Sequence, residues 1–209
     1  MILTPIAAPE LGPILERFAV RLAGNPRAAA AFGRIRATWP VTPGQVDTPA
    51  QRAEGIRLAH AFGIETLDEE PENAFMWDGR CIRTRIEATV IAHEVAHWLL
   101  CAPERRPLPD FGLGSGPSTG RRDIANAAFC VSLEERETEE VLTSLLGILW
   151  EAELGQPAIL GALEQNWLEG ADRDSTAAFF AEMLERLYAL GHVDAEGRPC
   201  PPPARRAAA

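Results

Sequence analysis

The feature of the sequence that most restricts the fold is the segment 84–101, which carries two histidines on the apolar face of a predicted helix. The residues that recur on this face at helical spacing are Ile86, Val90, His93, His97 and Leu100. An imidazole on an apolar face needs a partner, because burial of an unpartnered polar group costs free energy. The segment therefore predicts a packed helix that holds both imidazoles at one site.

The same periodicity extends over most of the chain and predicts a mainly helical fold. Helices are expected at about 9–23, 27–38, 50–62, 84–101 and 133–153, then one that opens at Pro157 and one that is capped by Asp174 or Ser175. Ser132 and Glu135 form the pattern of a capping box, which places the start of the helix 133–153.

Two stretches depart from the helical pattern. The segment 74–83 contains Asp78-Gly79 between short apolar runs, which predicts a β-hairpin with a tight turn. The segment 102–120 is rich in proline and glycine and predicts a loop or lid. The expected fold class is therefore mainly α with a small β-hairpin or sheet (α+β). With 209 residues we expect a single domain over 1–192 and a disordered tail over 193–209.

Composition limits the function classes. All 20 basic residues are arginine, against 30 acidic residues, which gives a net charge of −10. Lysine Schiff-base chemistry is therefore excluded, and general nucleic-acid binding is not expected, because phosphates need a basic surface. No apolar run reaches the roughly 18 residues of a membrane span, and the first residues lack the pattern of a signal peptide. The expected location is the cytoplasm, without a membrane partner; the oligomeric state is left open.

The segment His93-Glu94-Val95-Ala96-His97 is an HExxH motif on the predicted helix. One helical turn separates the two imidazoles, so that both can bind one metal ion from the same face. Glu94 lies one residue further round the helix, where it can accept a proton from a bound water or a substrate. The motif predicts a zincin-like metal site with Glu94 as its catalytic residue.

Such a site needs a third protein ligand. His60, His192 and Cys130 are candidates, as are the acids of the segment 134–140. Counting back by four residues from Leu145 along the apolar stripe of the helix 133–153 leads to Glu137, and three further to Glu134. This register favours Glu137 as the ligand with Glu134 in reserve, and it leaves Glu139 and Glu140 dispensable. Acids at a helix start also complement the helix dipole, so neither carboxylate need be a ligand.

The residues 93–112 resemble the elongation factor P hydroxylase family. The matching pattern is His-Glu-Val-Ala-His-Trp, six further residues, and then Arg105-Arg106-Pro-Leu-Pro-Asp110-Phe-Gly. A glutamate near the start of a later helix in the family is similar to Glu137. The resemblance implies a mononuclear non-haem iron held by His93, His97 and Glu137.

In that family the enzyme is regarded as a monooxygenase that hydroxylates a modified lysine of a translation factor. The resemblance implies a protein or peptide substrate here, either a translation factor or another target. It also implies that the segment 105–112 lies around the metal site or on its substrate rim. Arg105, Arg106 and Asp110 are the rim residues on this interpretation, although a solvated arginine pair is the commoner outcome.

Three functions are compatible with the sequence. The first is a hydroxylase or monooxygenase with Fe(II), since two histidines and one carboxylate leave positions for O₂ and substrate. The second is a Zn(II) metallopeptidase in which Glu94 is the general base and the hairpin 74–83 presents an edge to the peptide. The third is a binding module that has lost catalysis, which the intact His-Glu-His pattern disfavours. The resemblance favours the first.

Overall fold

The fold consists of eight α-helices and one pair of short strands in the part of the chain that the computed structural model describes, residues 6–42, 44–71, 75–116 and 119–202. The helices are α1 (Ala8–Leu22), α2 (Pro26–Arg36), α3 (Pro49–Ala61), α4 (Ala88–Leu100), α5 (Arg122–Ala127), α6 (Leu133–Glu153), α7 (Ala158–Glu164) and α8 (Asp174–Ala189). The strands are β1 (Glu65–Leu67) and β2 (Cys81–Arg83). The mainly helical fold class with a small sheet is confirmed.

Local signals in the sequence set most helix boundaries. The capping box at Ser132 is present, because its hydroxyl accepts a hydrogen bond from Glu135 N and the Glu135 carboxylate accepts one from Ser132 N. Thr48 and Gln51 form a second such box at the start of α3. The start of α8 differs from the prediction, since Arg173 rather than Asp174 or Ser175 occupies the capping position. The short α5 was not predicted.

The predicted hairpin over 74–83 is only partly formed. One antiparallel bridge joins Trp77 to Ile82, and the carboxylate of Asp78 accepts hydrogen bonds from the backbone N–H groups of Arg80 and Cys81. β2, however, pairs with β1 in parallel. Hydrogen bonds to the Asp78 side chain thus form a turn where an antiparallel strand pair was expected. Ala74, the first residue of the predicted hairpin, lies outside the described residues.

The predicted loop 102–120 contains two 3-10 turns, Pro103–Arg105 and Pro109–Gly112. It packs closely on the turn that precedes β2. At Gly79 an added Cβ would lie 2.2 Å from the carbonyl oxygen of Pro107, so only glycine allows this approach. The loop is therefore held against the turn that precedes β2.

The C-terminal segment that was predicted to be disordered, 193–209, has defined structure in its first ten residues. Val193 is buried, and a bridge pairs it with Pro199. The Asp194 carboxylate accepts hydrogen bonds from the N–H groups of Glu196 and Arg198, which closes a tight turn that proline content alone did not indicate. The prediction of disorder is wrong for 193–202, and the remaining part, 203–209, lies outside the described residues.

The core is built around α4, which packs against both α6 and α3. A cluster of three edge-to-face rings, Phe18, Phe32 and Phe180, joins α1, α2 and α8. None of the helices in the described part of the chain combines the length and apolar character that a membrane span requires. The α4–α6 contact is the one that positions the functional site.

Candidate metal site

His93 and His97 on α4 lie next to Glu140 on α6. Glu140 Oε2 is 4.0 Å from His93 Nε2 and 3.5 Å from His97 Nε2. The two imidazole rings are 4.7 Å apart between centroids. One nitrogen of each ring and one carboxylate oxygen all lie within 4.8 Å of one another. Two imidazoles and a carboxylate at this spacing can hold a divalent metal ion.

The third member of the cluster is Glu140, not the predicted Glu137 or Glu134. Both of these carboxylates are exposed near the start of α6. The register failed because the apolar stripe does not face α4: Leu145 lies with Phe18 and Phe32 on the side of α1 and α2. Successive helical residues turn by about 100°, so Glu140 points about 140° away from Leu145. The expectation that Glu140 is dispensable for metal binding is also overturned, whereas Glu139 pairs with Arg105 and is not among the clustered side chains.

Small residues mark the face of α6 that does meet α4. At Gly147 an added Cβ would lie 3.2 Å from the Cα of His93. Thr143 lies one turn before Gly147, and Glu140 lies three residues before Thr143. A glycine in the middle of a 21-residue helix was the signal in the sequence that could have located this face.

His97 is held on both of its sides. Its Nδ1 lies 3.3 Å from the hydroxyl of Thr143, which leaves Nε2 directed at Glu140. The ring of Phe111 stacks on the imidazole at 5.4 Å, and Trp77 stacks on Phe111 at 5.1 Å. Such partners fix the orientation of a ligand histidine.

Two of the three clustered side chains, His93 and Glu140, carry the protonation states that metal binding needs. Burial alone would raise the pKa of Glu140, but the hydrogen bond to His97 and the charges of both histidines lower it to about 2. The pKa of His93 falls to about 3, first because of burial and then because of repulsion from His97. Burial would lower the pKa of His97, yet Glu140 raises it. At neutral pH, Glu140 is therefore an ionised carboxylate and His93 a neutral imidazole, the forms that bind a metal ion.

Glu94 is buried beside the cluster with 5% of its surface exposed. Burial raises its pKa to about 7, and the negative charges of Asp110 and Glu140 act in the same direction, whereas His97 opposes them. A carboxyl group with a pKa near neutrality can both accept and release a proton. Its assignment as a catalytic residue stays a prediction.

The two predicted rim arginines are used within the fold. Arg105 forms an ion pair with Glu139 and donates a hydrogen bond to the carbonyl of Phe111. Arg106 donates to the carbonyl of Trp98 and lies 3.7 Å above that indole ring. Neither guanidinium lines the cleft described below, and the placement of both residues on a substrate rim stays a prediction.

Asp110 lies in a strained turn near the histidines. Asp110 and Phe111 have φ values of 44° and 54°, which lie in a backbone region that residues other than glycine rarely adopt. The Thr119 hydroxyl donates to the Asp110 carboxylate at 2.6 Å, and burial raises the pKa of this carboxyl group. The turn holds Phe111 against His97, so Asp110 belongs to the support of the site.

A cleft of about 670 Å³ opens beside His93 and Glu140. It is bounded by α6, by the segment that follows α7 and by the start of α8. Its other lining residues are Val141, Ser144, Gln165, Asn166, Trp167, Glu169, Ser175, Thr176 and Phe179. No described residue of 75–83 or of the 102–120 loop lines it, so the predicted lid and peptide-binding edge are not part of this cleft.

The remaining candidate ligands lie elsewhere. His60 Nε2 is 2.8 Å from the hydroxyl of Thr66, and the pKa of His192 is lowered by burial near the C-terminal turn. Cys130 packs on Gly112, with its thiol 3.7 Å from the Gly112 carbonyl oxygen. Within the described ranges, His93, His97 and Glu140 form the one cluster with metal-ligand spacing.

Comparison of the chain with protein-family models, with curated proteins and with solved structures finds no match. The resemblance of residues 93–112 to the elongation factor P hydroxylases therefore stays a prediction.

Proposed function

We propose that the protein is a mononuclear metal enzyme in which His93, His97 and Glu140 hold one divalent ion. The observation that carries this proposal is the convergence of the three side chains, with ligand atoms within 4.8 Å of one another, at the edge of a cleft. Two imidazoles and one carboxylate are the donors that Fe(II) and Zn(II) take in proteins.

The reaction we favour is hydroxylation of a substrate group by a non-haem Fe(II) monooxygenase. Two histidines and one carboxylate leave coordination positions open, and bound Fe(II) would supply O₂ activation at those positions. The resemblance of residues 93–112 supports this choice. A protein or peptide side chain is the proposed substrate, with a translation factor as one case.

The residues of the chain have distinct tasks in this proposal. Thr143 orients His97, and Phe111 covers the face of the imidazole from water. Glu94 accepts or returns a proton beside the ligands, a role that its burial and its pKa of about 7 support. The cleft beside His93 receives the substrate group that reacts.

A Zn(II) metallopeptidase is the second candidate, and the specific observation in its favour is also Glu94. A buried carboxylate beside an HExxH metal site is the general base that such hydrolysis requires. Peptidases of this type bind substrate along a strand, and the described residues of β1 and β2 do not line the cleft. We therefore rank this function below the first.

The two functions separate in one experiment on protein purified without metal. Samples are loaded anaerobically with Fe(II) or with Zn(II). The Fe(II) sample is exposed to nitric oxide, and the high-spin iron–nitrosyl EPR signal is recorded. We expect this signal in the wild type and in Glu137→Ala, and its loss in Glu140→Ala.

The Zn(II) sample is incubated with a mixture of unstructured peptides, and cleavage is followed by mass spectrometry. Cleavage that Glu94→Gln abolishes, together with no nitrosyl signal in the Fe(II) sample, would replace the oxygenase by the peptidase. If the protein binds neither Fe(II) nor Zn(II), both functions are overturned.

A further inference from the structure

The cleft beside the candidate metal site has an aromatic wall. Trp167 and Phe179 stack with their ring centroids 5.8 Å apart and an angle of 24° between the planes. Trp167 is buried, and its Nε1 donates a 2.7 Å hydrogen bond to Ser144 on the ligand-bearing helix α6. Phe179 is 44% exposed. A fixed ring thus supports an exposed ring that a flat group can stack on.

Two of the hydroxyl groups in the lining, those of Thr176 and Ser144, have partners inside the protein. Thr176 Oγ1 donates to the carbonyl oxygen of Gly170 at 2.8 Å, and Ser144 Oγ accepts the bond from Trp167. Val141 adds apolar surface to the lining. Together with the exposed ring of Phe179, this surface favours contact with an apolar group.

The described lining of the cleft contains carboxylates but no guanidinium. Glu140 and Glu169 both line it, and its described lining contains no arginine, in a chain that has no lysine. The negative net charge of the whole chain acts in the same direction. Away from the metal ligands, the described lining therefore offers no guanidinium that could pair with a negatively charged group.

We infer that the cleft binds an aromatic or similarly flat apolar group without negative charge, seated on Phe179 next to the metal ion. This inference rests on the proposed function, because it takes the cleft as the substrate site of the metal enzyme. The cleft volume of about 670 Å³ lies in the range of roughly 300–1,000 Å³ that is usual for sites of small ligands.

Three hydroxamates test the inference, because each can chelate the metal while its substituent enters the cleft. Calorimetry on the Zn(II)-loaded full chain gives the Kd of acetohydroxamate, benzohydroxamate and 4-carboxybenzohydroxamate. We expect benzohydroxamate to bind about 10-fold more tightly than acetohydroxamate, owing to the stacked ring. The carboxylated ring should bind about 5-fold more weakly than benzohydroxamate at low salt, and Glu169→Gln should narrow that difference.

Phe179→Ala should reduce the preference for the ring to about 2-fold or less. The matched control is Tyr188→Ala, which removes a ring with similar exposure, 43%, from the same helix outside the cleft. It should leave the preference unchanged. Equal affinities of acetohydroxamate and benzohydroxamate in the wild type, or a preference that survives Phe179→Ala, would overturn the inference alone. Zinc-loaded protein that binds none of the three would overturn the proposed function and the inference with it.

Discussion

Gly147 of α6 faces the backbone of His93 so closely that a Cβ at this position would lie 3.2 Å from the His93 Cα. This contact sets the distance between α4 and α6. Glu140 lies seven residues before Gly147, two turns along the same face, and so meets the two imidazoles. The metal cluster therefore depends on a residue that contributes no ligand atom.

A large side chain at Gly147 should separate the helices. We expect Gly147→Leu to lower the free energy of unfolding by about 1–3 kcal/mol through overpacking and to weaken metal binding as well. Gly33→Leu is the matched control, since this helical glycine has nothing within 4 Å of an added Cβ. Because leucine has a higher helix propensity than glycine, Gly33→Leu should raise the free energy of unfolding by up to about 1 kcal/mol. Urea unfolding and metal titration measure both effects; equal behaviour of the two variants would refute the tight contact.

Loss of the Thr143 hydroxyl should loosen the hold on His97. Thr143→Val keeps the shape of the side chain but removes the partner of His97 Nδ1, so metal affinity should fall by about 10-fold or more. Thr138→Val on the same helix is the control, because Thr138 lines a groove away from the cluster. Competition with a chelator gives both affinities. If Thr143→Val binds metal with the affinity of the wild type, the Thr143 hydroxyl does not orient His97 for metal binding.

Glu94→Gln should keep the metal and lose most of the activity. Glu94 is not one of the three clustered side chains, so neutralising it removes proton transfer but no ligand. Elemental analysis checks the metal content and the assays above check turnover. Loss of metal as severe as in His97→Ala would mean that Glu94 is itself a ligand.

Glu151 should make the stability depend on pH. This carboxyl group is 1% exposed, one oxygen has no partner within the described structure, and burial raises its pKa to about 8 from an ordinary value of 4.5. The folded state therefore keeps a proton that the unfolded state releases. The contribution of this carboxyl group to the free energy of unfolding is fully present below pH 4.5. It is lost as the pH rises to about 8.

Glu151→Gln should remove most of this decline and raise the stability near pH 8 by a few kcal/mol. Glu153→Gln, at an exposed position two residues on, is the control and should leave the slope unchanged. Urea unfolding at several pH values between 5 and 8.5 makes the comparison. A slope that is the same in Glu151→Gln and the wild type would rule out the buried protonated carboxyl.

The parts of the fold that local signals determine could be predicted from the sequence. The Ser132 capping box fixed the start of α6, and the HExxH spacing placed His93 and His97 on one face of α4. The pairing of β2 could not be predicted, because an Asp-Gly turn specifies its neighbours in the chain and not the distant β1.

The third ligand required knowledge of which neighbour each face of α6 meets. The helix is buried on several sides, so the stripe through Leu145 and the face of Gly147 were both candidates for contact with α4. The stripe through Leu145 packs towards Phe18 and Phe32. Hydrophobicity marked the buried side, whereas the small residues marked the close helix contact.

Metal titration of single glutamate variants tests the central claim most directly. Metal-free wild type, Glu140→Ala, Glu137→Ala and Glu134→Ala are titrated with Zn(II), with His93→Ala and His97→Ala as variants that should bind no metal and keep their helical content. We expect Glu140→Ala to weaken affinity by about 10-fold or more, because a ligand is worth at least as much as a residue that orients one. Glu137→Ala and Glu134→Ala should bind as the wild type does. If Glu140→Ala binds Zn(II) as tightly as the wild type, or if Glu137→Ala is the variant that weakens binding, the assignment of His93, His97 and Glu140 as the metal ligands is wrong.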